Sequence, residues 1–176
     1  MDQFVTTVAL AGRNVNAIRV QRRLDTRTRR GPLVAKTGCG LPVDDFTTQA
    51  AAGQLGHVGL RESARLVAES LGWEIEETRS VLEPVLGDTG EVLGQHQIFT
   101  LAADRARTLV FDLEMSWGAP DPGDRIVVSG EFDIDVEIHG GYPGDEGTTA
   151  MVVRAIEMIA RRTPDFYRPT DLLVGF

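Results

Sequence analysis

Gly56-His57-Val58-Gly59-Leu60-Arg61-Glu62-Ser63 is the stretch from which the rest of this 176-residue chain can be read. Beyond it, apolar residues recur at helical spacing: Leu60, Ala64, Val67 and Leu71. Arg61, Glu62, Arg65 and Glu69 fall on the opposite side, and Gly72 follows. The pattern predicts an amphipathic helix entered through a glycine-rich turn that carries a histidine. A helix start presents free backbone N–H groups and the positive end of the peptide dipoles, which suits a carboxylate or a phosphate. The other reading is that His57 and the glycines only shape a tight entry to a packed helix.

Upstream, Lys36-Thr37-Gly38-Cys39-Gly40-Leu41-Pro42 reads as a flexible loop, followed by a short helix over Asp44 to Ala52. Lys36 is the only lysine in the chain and could hold an anion or move a proton; a lone lysine can equally be without a role. Cys39, with no activating neighbour in sequence, reads as structural. Gly31-Pro32 reads as a turn. Before it, Ile18, Val20 and Leu24 alternate with Arg19, Gln21, Arg23 and Asp25, the period of a strand. That strand runs into an arginine cluster of Arg22, Arg23, Arg27, Arg29 and Arg30. The cluster is either a charged sheet edge that discourages association or a clamp for an acidic ligand group. Asp2 to Ala11 reads as a short helix.

Downstream, Glu74 to Val85 reads as a long interrupted strand, and Val92 to Leu101 as the next, with Gly94 as a bulge. His96 reads as a surface or half-buried strand residue. Leu109, Phe111, Leu113, Met115 and Trp117 alternate with Val110, Asp112, Glu114 and Ser116 in the following strand, after which comes the loop Ala119 to Asp124. Phe132, Ile134, Val136 and Ile138 alternate with Glu131, Asp133, Asp135 and Glu137 in the last strand, whose acidic ladder reads as a solvated face. His139 could reach a site in the glycine-rich loop Gly140 to Asp145. A final helix is expected from Thr148 or Thr149 to about Arg161, with Val152, Ile156 and Ile159 facing inward. The tail Leu172, Leu173, Val174 and Phe176 needs burial.

The fold class expected is α+β: a largely antiparallel or mixed sheet of four to five long strands, with helices on one face, in a single domain over residues 1–176. The strands carry enough apolar residues to suggest that the second face is also covered. That implies a homo-oligomer, a dimer or tetramer. Hydrophobic content of 42% and charged content of 25% are ordinary for a globular chain. A net charge of -8 argues against non-specific nucleic-acid binding, and no apolar run is long enough to span a membrane. One cysteine leaves no disulfide framework and no multi-cysteine zinc site, and a cytoplasmic location is expected.

Taken in order, five segments resemble the C-terminal domain of 2,4-diaminopentanoate dehydrogenases and the wider 4-hydroxy-tetrahydrodipicolinate reductase-like enzymes. They are Arg29-Arg30-Gly31-Pro32-Leu33; Lys36 to Leu41 with Asp44-Asp45-Phe46; Gly56 to Ser63 with Leu71-Gly72-Trp73; Met115 to Pro122; and Gly140 to Asp145 with the helix after it. The resemblance implies a substrate-holding and oligomerising domain. It also implies that the turn Gly56 to Leu60 binds a carboxylate. Two features depart from the family. No G-x-G-x-x-G fingerprint or leading βαβ unit stands in the chain, so no nicotinamide cofactor and no metal are expected in it. Arg22-Arg23-Leu24-Asp25 stands where the dipicolinate reductases carry paired histidines.

The function expected is therefore cofactor-free acid–base chemistry, such as isomerisation, cyclisation or elimination, on a small amino- or keto-carboxylate or imine. The alternatives are a non-catalytic binding module, a partner subunit of a separate nicotinamide-binding chain, or a piece of a 2,4-diaminopentanoate dehydrogenase-like oxidoreductase. The candidate proton-transfer residues are His57 and Lys36. Arg29, Arg30, Thr37, Gly38, Val58, Gly59, Arg61 and Asp145 are the candidate substrate-holding residues, the substrate being a small molecule with an anionic group.

Overall fold

A computed structural model describes residues 2–172. Six strands form one sheet in the order β2-β3-β4-β1-β5-β6. They are β1 (Ala17–Asp25), β2 (Ile75–Leu86), β3 (Val92–Ala103), β4 (Arg107–Ser116), β5 (Gly123–Ser129) and β6 (Ile134–His139). β1 runs parallel to β4, and every other neighbouring pair is antiparallel. The sheet is thus mixed and largely antiparallel, as the alternation in the sequence predicts, with helices on one face.

The helices are α1 (Asp2–Leu10), α2 (Gly31–Lys36), α3 (Val43–Ala51), α4 (Leu60–Ser70) and α5 (Gly144–Ile159). The inward phase of the strands supplies Ile18, Val20, Phe99, Leu101, Leu109, Phe111, Ile126 and Val128, all buried. α1 covers them with Val5 and Ala9, and α4 with Leu60, Ala64, Val67 and Ala68. The stripe that predicted α4 is the stripe it buries.

Four expectations are corrected. The sheet has six strands rather than four to five, because β5 starts inside the Pro/Gly/Asp loop and its Ile126-Val127-Val128 run shows no alternation. Gly31-Pro32 is no turn but the start of α2, where a missing N–H costs nothing and the proline φ suits the helix. α5 starts at Gly144, and its inner side is Gly147, Met151, Ala155 and Met158. Val152, Ile156 and Ile159, expected inside, are exposed, since Met151, Ala155 and Met158 make a second apolar row on this helix and the spacing alone does not choose between the two. The second face of the sheet is not an apolar surface. Val110, Val127 and Ile98 are interspersed there with ion pairs: Arg19–Asp112 at 2.6 Å, His96–Asp112 at 2.7 Å, Arg23–Glu114 at 3.2 Å and Arg125–Asp135 at 2.6 Å. The tail expected to need burial lies, apart from the backbone of Leu172, outside the described residues. Among the described residues no helix is long and apolar enough to cross a membrane.

Candidate functional site

At one end of the sheet the inward phase turns polar in three strands at once. β1 reads Ile18, Val20, Arg22; β5 reads Val128, Ile126, Asp124; β3 reads Leu101, Phe99, Gln97, Gln95. Arg22 and Asp124 are direct partners across the β1–β5 ladder. The Arg22 Nε lies 3.5 Å from Asp124 Oδ1, and its Nη2 donates to the Tyr142 carbonyl at 2.8 Å. Tyr142 N–H donates to Asp124 Oδ2 at 2.6 Å, which closes the loop Gly140 to Pro143 onto the pair. Asp124 is 3% exposed. Burial pushes its carboxyl above the usual carboxylate range, opposed by the Tyr142 N–H and the Arg22 charge.

The two glutamines hold the histidine turn. Gly56 N–H donates to Gln95 Oε1 at 3.1 Å and His57 N–H to Gln97 Oε1 at 2.8 Å. Gly56 N–H also lies 3.3 Å from the Lys36 carbonyl, tying the end of α2 to the same turn. Gly56 adopts φ +105°, a conformation glycine reaches without steric cost. The His57 ring opens outward yet is crowded by protein. Desolvation first, then the positive charges of Arg22 and Lys36, push its pKa below 6.5. At neutral pH the imidazole is therefore uncharged and able to accept a proton.

His57, Arg22 and Tyr142 face a cavity of about 780 Å³ between the sheet and helices α1, α2, α4 and α5. Its walls are mostly apolar, with Val20, Leu24, Leu33, Leu60, Met115 and Met151 among them. Arg29 also lines it, and the Arg29 Nε is buried without a hydrogen-bond partner among the described residues. A buried guanidinium N–H left unpaired is costly, and an anionic ligand would relieve it.

The structure splits the arginine cluster, because successive strand residues point to opposite faces. Arg22 and Arg29 reach the cavity, while Arg23 pairs with Glu114 on the other face. Arg27 is held by Asp25 at 2.8 Å, a contact that draws the Asp25 carboxyl down to about 2. Arg30 pairs with Asp145 at 2.9 Å at the cavity rim, both side chains largely exposed. Lys36 is exposed at the end of α2 and reaches His57 through its charge. The remaining candidates stand elsewhere. Thr37 is fully buried and donates its hydroxyl to the Val34 carbonyl at 2.7 Å. Gly38 backs onto Phe46, whose ring leaves no room for a Cβ. Gly59 caps α4 in a left-handed conformation, and Val58 and Arg61 are exposed outside the cavity. Burial pushes the Cys39 thiol up, away from a reactive thiolate.

Sequence reasoning overlooked Asp124 as a site residue and did not single out Arg22 from its cluster. A signal was present: each occupies an inward position in a strand whose other inward positions are apolar. Reading it for Asp124 required β5 to be recognised first.

A family model described as the 2,4-diaminopentanoate dehydrogenase C-terminal domain matches residues 1–100. The 2,4-diaminopentanoate dehydrogenase of Acetoanaerobium sticklandii is 28% identical over 193 aligned positions, covering 99% of this chain and 54% of that protein. The amine dehydrogenase of Mycobacterium smegmatis has the same fold, with a TM-score of 0.76 over 94% of this chain and 56% of that one, at 13% identity. This chain thus spans about half the length of both relatives. The match spans α1 through most of β3, including the arginine cluster and the histidine turn, and the chain belongs to the 2,4-diaminopentanoate dehydrogenase C-terminal domain family.

Proposed function

We propose that this chain is the substrate-holding part of an oxidoreductase resembling 2,4-diaminopentanoate dehydrogenase, and that it binds a small amine bearing a carboxylate. The observation that carries the reading is the orphaned Nε of Arg29 beside Arg22 and an uncharged His57 in one largely apolar cavity. The guanidinium of Arg29 would take the carboxylate, the apolar wall the carbon chain, and His57 the proton of the amine as it is oxidised.

A redox cofactor is implied by such an activity, and the residues described do not fit a dinucleotide. No G-x-G-x-x-G opens a helix after a strand. The parallel neighbours β1 and β4 are separated by three helices and two strands rather than by a single crossover helix. Redox chemistry is accordingly assigned to a nucleotide-binding unit outside these residues. A thermal-shift series tests the binding role. Short amino- and diamino-carboxylates are expected to raise the melting temperature, while the matching amines without the carboxylate do not. Arg29→Gln is expected to weaken binding about tenfold, the worth of one charge-assisted hydrogen bond. Equal stabilisation by both ligand sets would sink the proposal.

A second reading, proton transfer without any cofactor, draws on the lowered pKa of His57. It requires the bound amino acid to exchange its α-proton in heavy water with no nicotinamide present, and the exchange to vanish in a folded His57→Ala variant. An unlabelled ligand after long incubation rejects it. We also propose a homo-oligomer, now on different grounds: Val152, Val153, Ile156 and Ile159 form an exposed apolar face on α5. A one-chain mass by light scattering would reject that. A cytoplasmic location belongs to the same proposal.

A further inference from the structure

β3 places two glutamines in a phase that otherwise buries Phe99 and Leu101. Burying a primary amide among apolar side chains is unfavourable unless its polar atoms are used. Gln95 is 1% exposed, and among the described residues its amide reaches, beyond the Gly56 N–H, only the Met115 sulfur at 3.9 Å, a weak acceptor. Gln97 spends its oxygen on the His57 N–H at 2.8 Å, and its Nε2 donates to Ser80 Oγ at 3.4 Å. Two consecutive backbone N–H groups are thus received by two side chains spaced for one face of a strand. A Cβ on Gly56 would stand 3.4 Å from Leu82 and 3.5 Å from the Gln97 oxygen, so the turn lies directly against the sheet. Neither glutamine lines the cavity.

We propose that Gln95 and Gln97 are positioning residues, a pair of amide acceptors on β3 that fix the backbone of the His57 turn and thereby hold the imidazole at the cavity mouth. The inference rests on the reading of His57 as the proton-handling group of the site. It adds that the floor of the sheet, not the start of α4, sets where that group stands. Asp124 faces the same end of the sheet but is engaged by Tyr142 and Arg22, which leaves Arg22 and Lys36 as the named charges acting on the ring.

Gln97→Met removes the acceptor at nearly constant volume, and Gln97→Glu keeps one. In the full chain, nuclear magnetic resonance titration of His57, with His96 and His139 as internal references, is expected to place the unaltered ring below 6.5. In Gln97→Met it should return toward that ordinary value. The His57 amide should exchange roughly tenfold faster in Gln97→Met and stay protected in Gln97→Glu. An unchanged His57 titration in folded Gln97→Met overturns the proposal. If that variant does not fold, fast exchange of the His57 amide in Gln97→Glu overturns it and continued protection supports it. Failure of the parent reading looks different: amines with and without the carboxylate would then stabilise the chain equally, while the Gln97 effects on the ring persist.

Discussion

Gly94→Ala is expected to lower stability by about 3 kcal/mol, a fall in melting temperature of roughly 6–12 °C for a chain of this size. The cause is backbone meeting backbone. A Cβ at Gly94 would lie 2.1 Å from the Met115 carbonyl oxygen and 2.6 Å from the Ser116 Cα on the neighbouring strand. Neither atom can swing aside as a side chain would, so β3 and β4 must part at that point. Gly94 sits where the β2–β3 register shifts, Val85 facing Gly94 and Leu86 facing Val92, which leaves Leu93 as the extra residue of a bulge. The next residue is Gln95, which holds Gly56. The variant should therefore lose ligand binding along with stability, and urea denaturation followed by tryptophan emission would measure the first effect. A midpoint within error of the unaltered chain would refute the account.

Arg22→Met is expected to cost about 2–3 kcal/mol at neutral pH, less than a fully buried pair because the Arg22 side chain is 20% exposed. The Asp124 side chain is wholly buried, and without Arg22 its charge keeps the Tyr142 N–H but loses the guanidinium beside it. The sign with pH follows from the direction of the Asp124 shift. Its folded-state pKa is raised already, and losing the guanidinium raises it further. A raised carboxyl binds its proton more tightly folded than unfolded, so stability falls as pH rises from the unfolded value of 3.8 through the folded one. Below 3.8 both states are protonated and this part of the loss disappears. The difference between Arg22→Met and the unaltered chain should thus grow from acid to neutral pH. A difference that is constant across that range would show that Asp124 does not carry the effect.

Much of this fold could be read from spacing alone. The 3.6-residue stripe from Leu60 to Leu71 and the two-residue alternation of Ile18 to Asp25, Leu109 to Met115 and Ile134 to Ile138 each commit one face to burial. Local period and buried face are the same fact in those segments. Where the period failed, so did the reading: the Ile126-Val127-Val128 run hid β5, and two competing apolar rows on α5 hid its inner side.

The site divides along the same line. Sequence alone determined that His57 stands in a glycine turn before an amphipathic helix, because that depends on residues a few positions apart. It also determined that arginines crowd the end of β1. Only the tertiary structure decided which arginines face the cavity, since strand pleating sends Arg22 and Arg23 to opposite faces. It also decided that Asp124 meets Arg22, and that Gln95 and Gln97 receive the Gly56 and His57 amides. Those contacts join residues about 40 to 100 positions apart, and they exist only once the register of β1 on β5 and the seating of the turn on β3 are set.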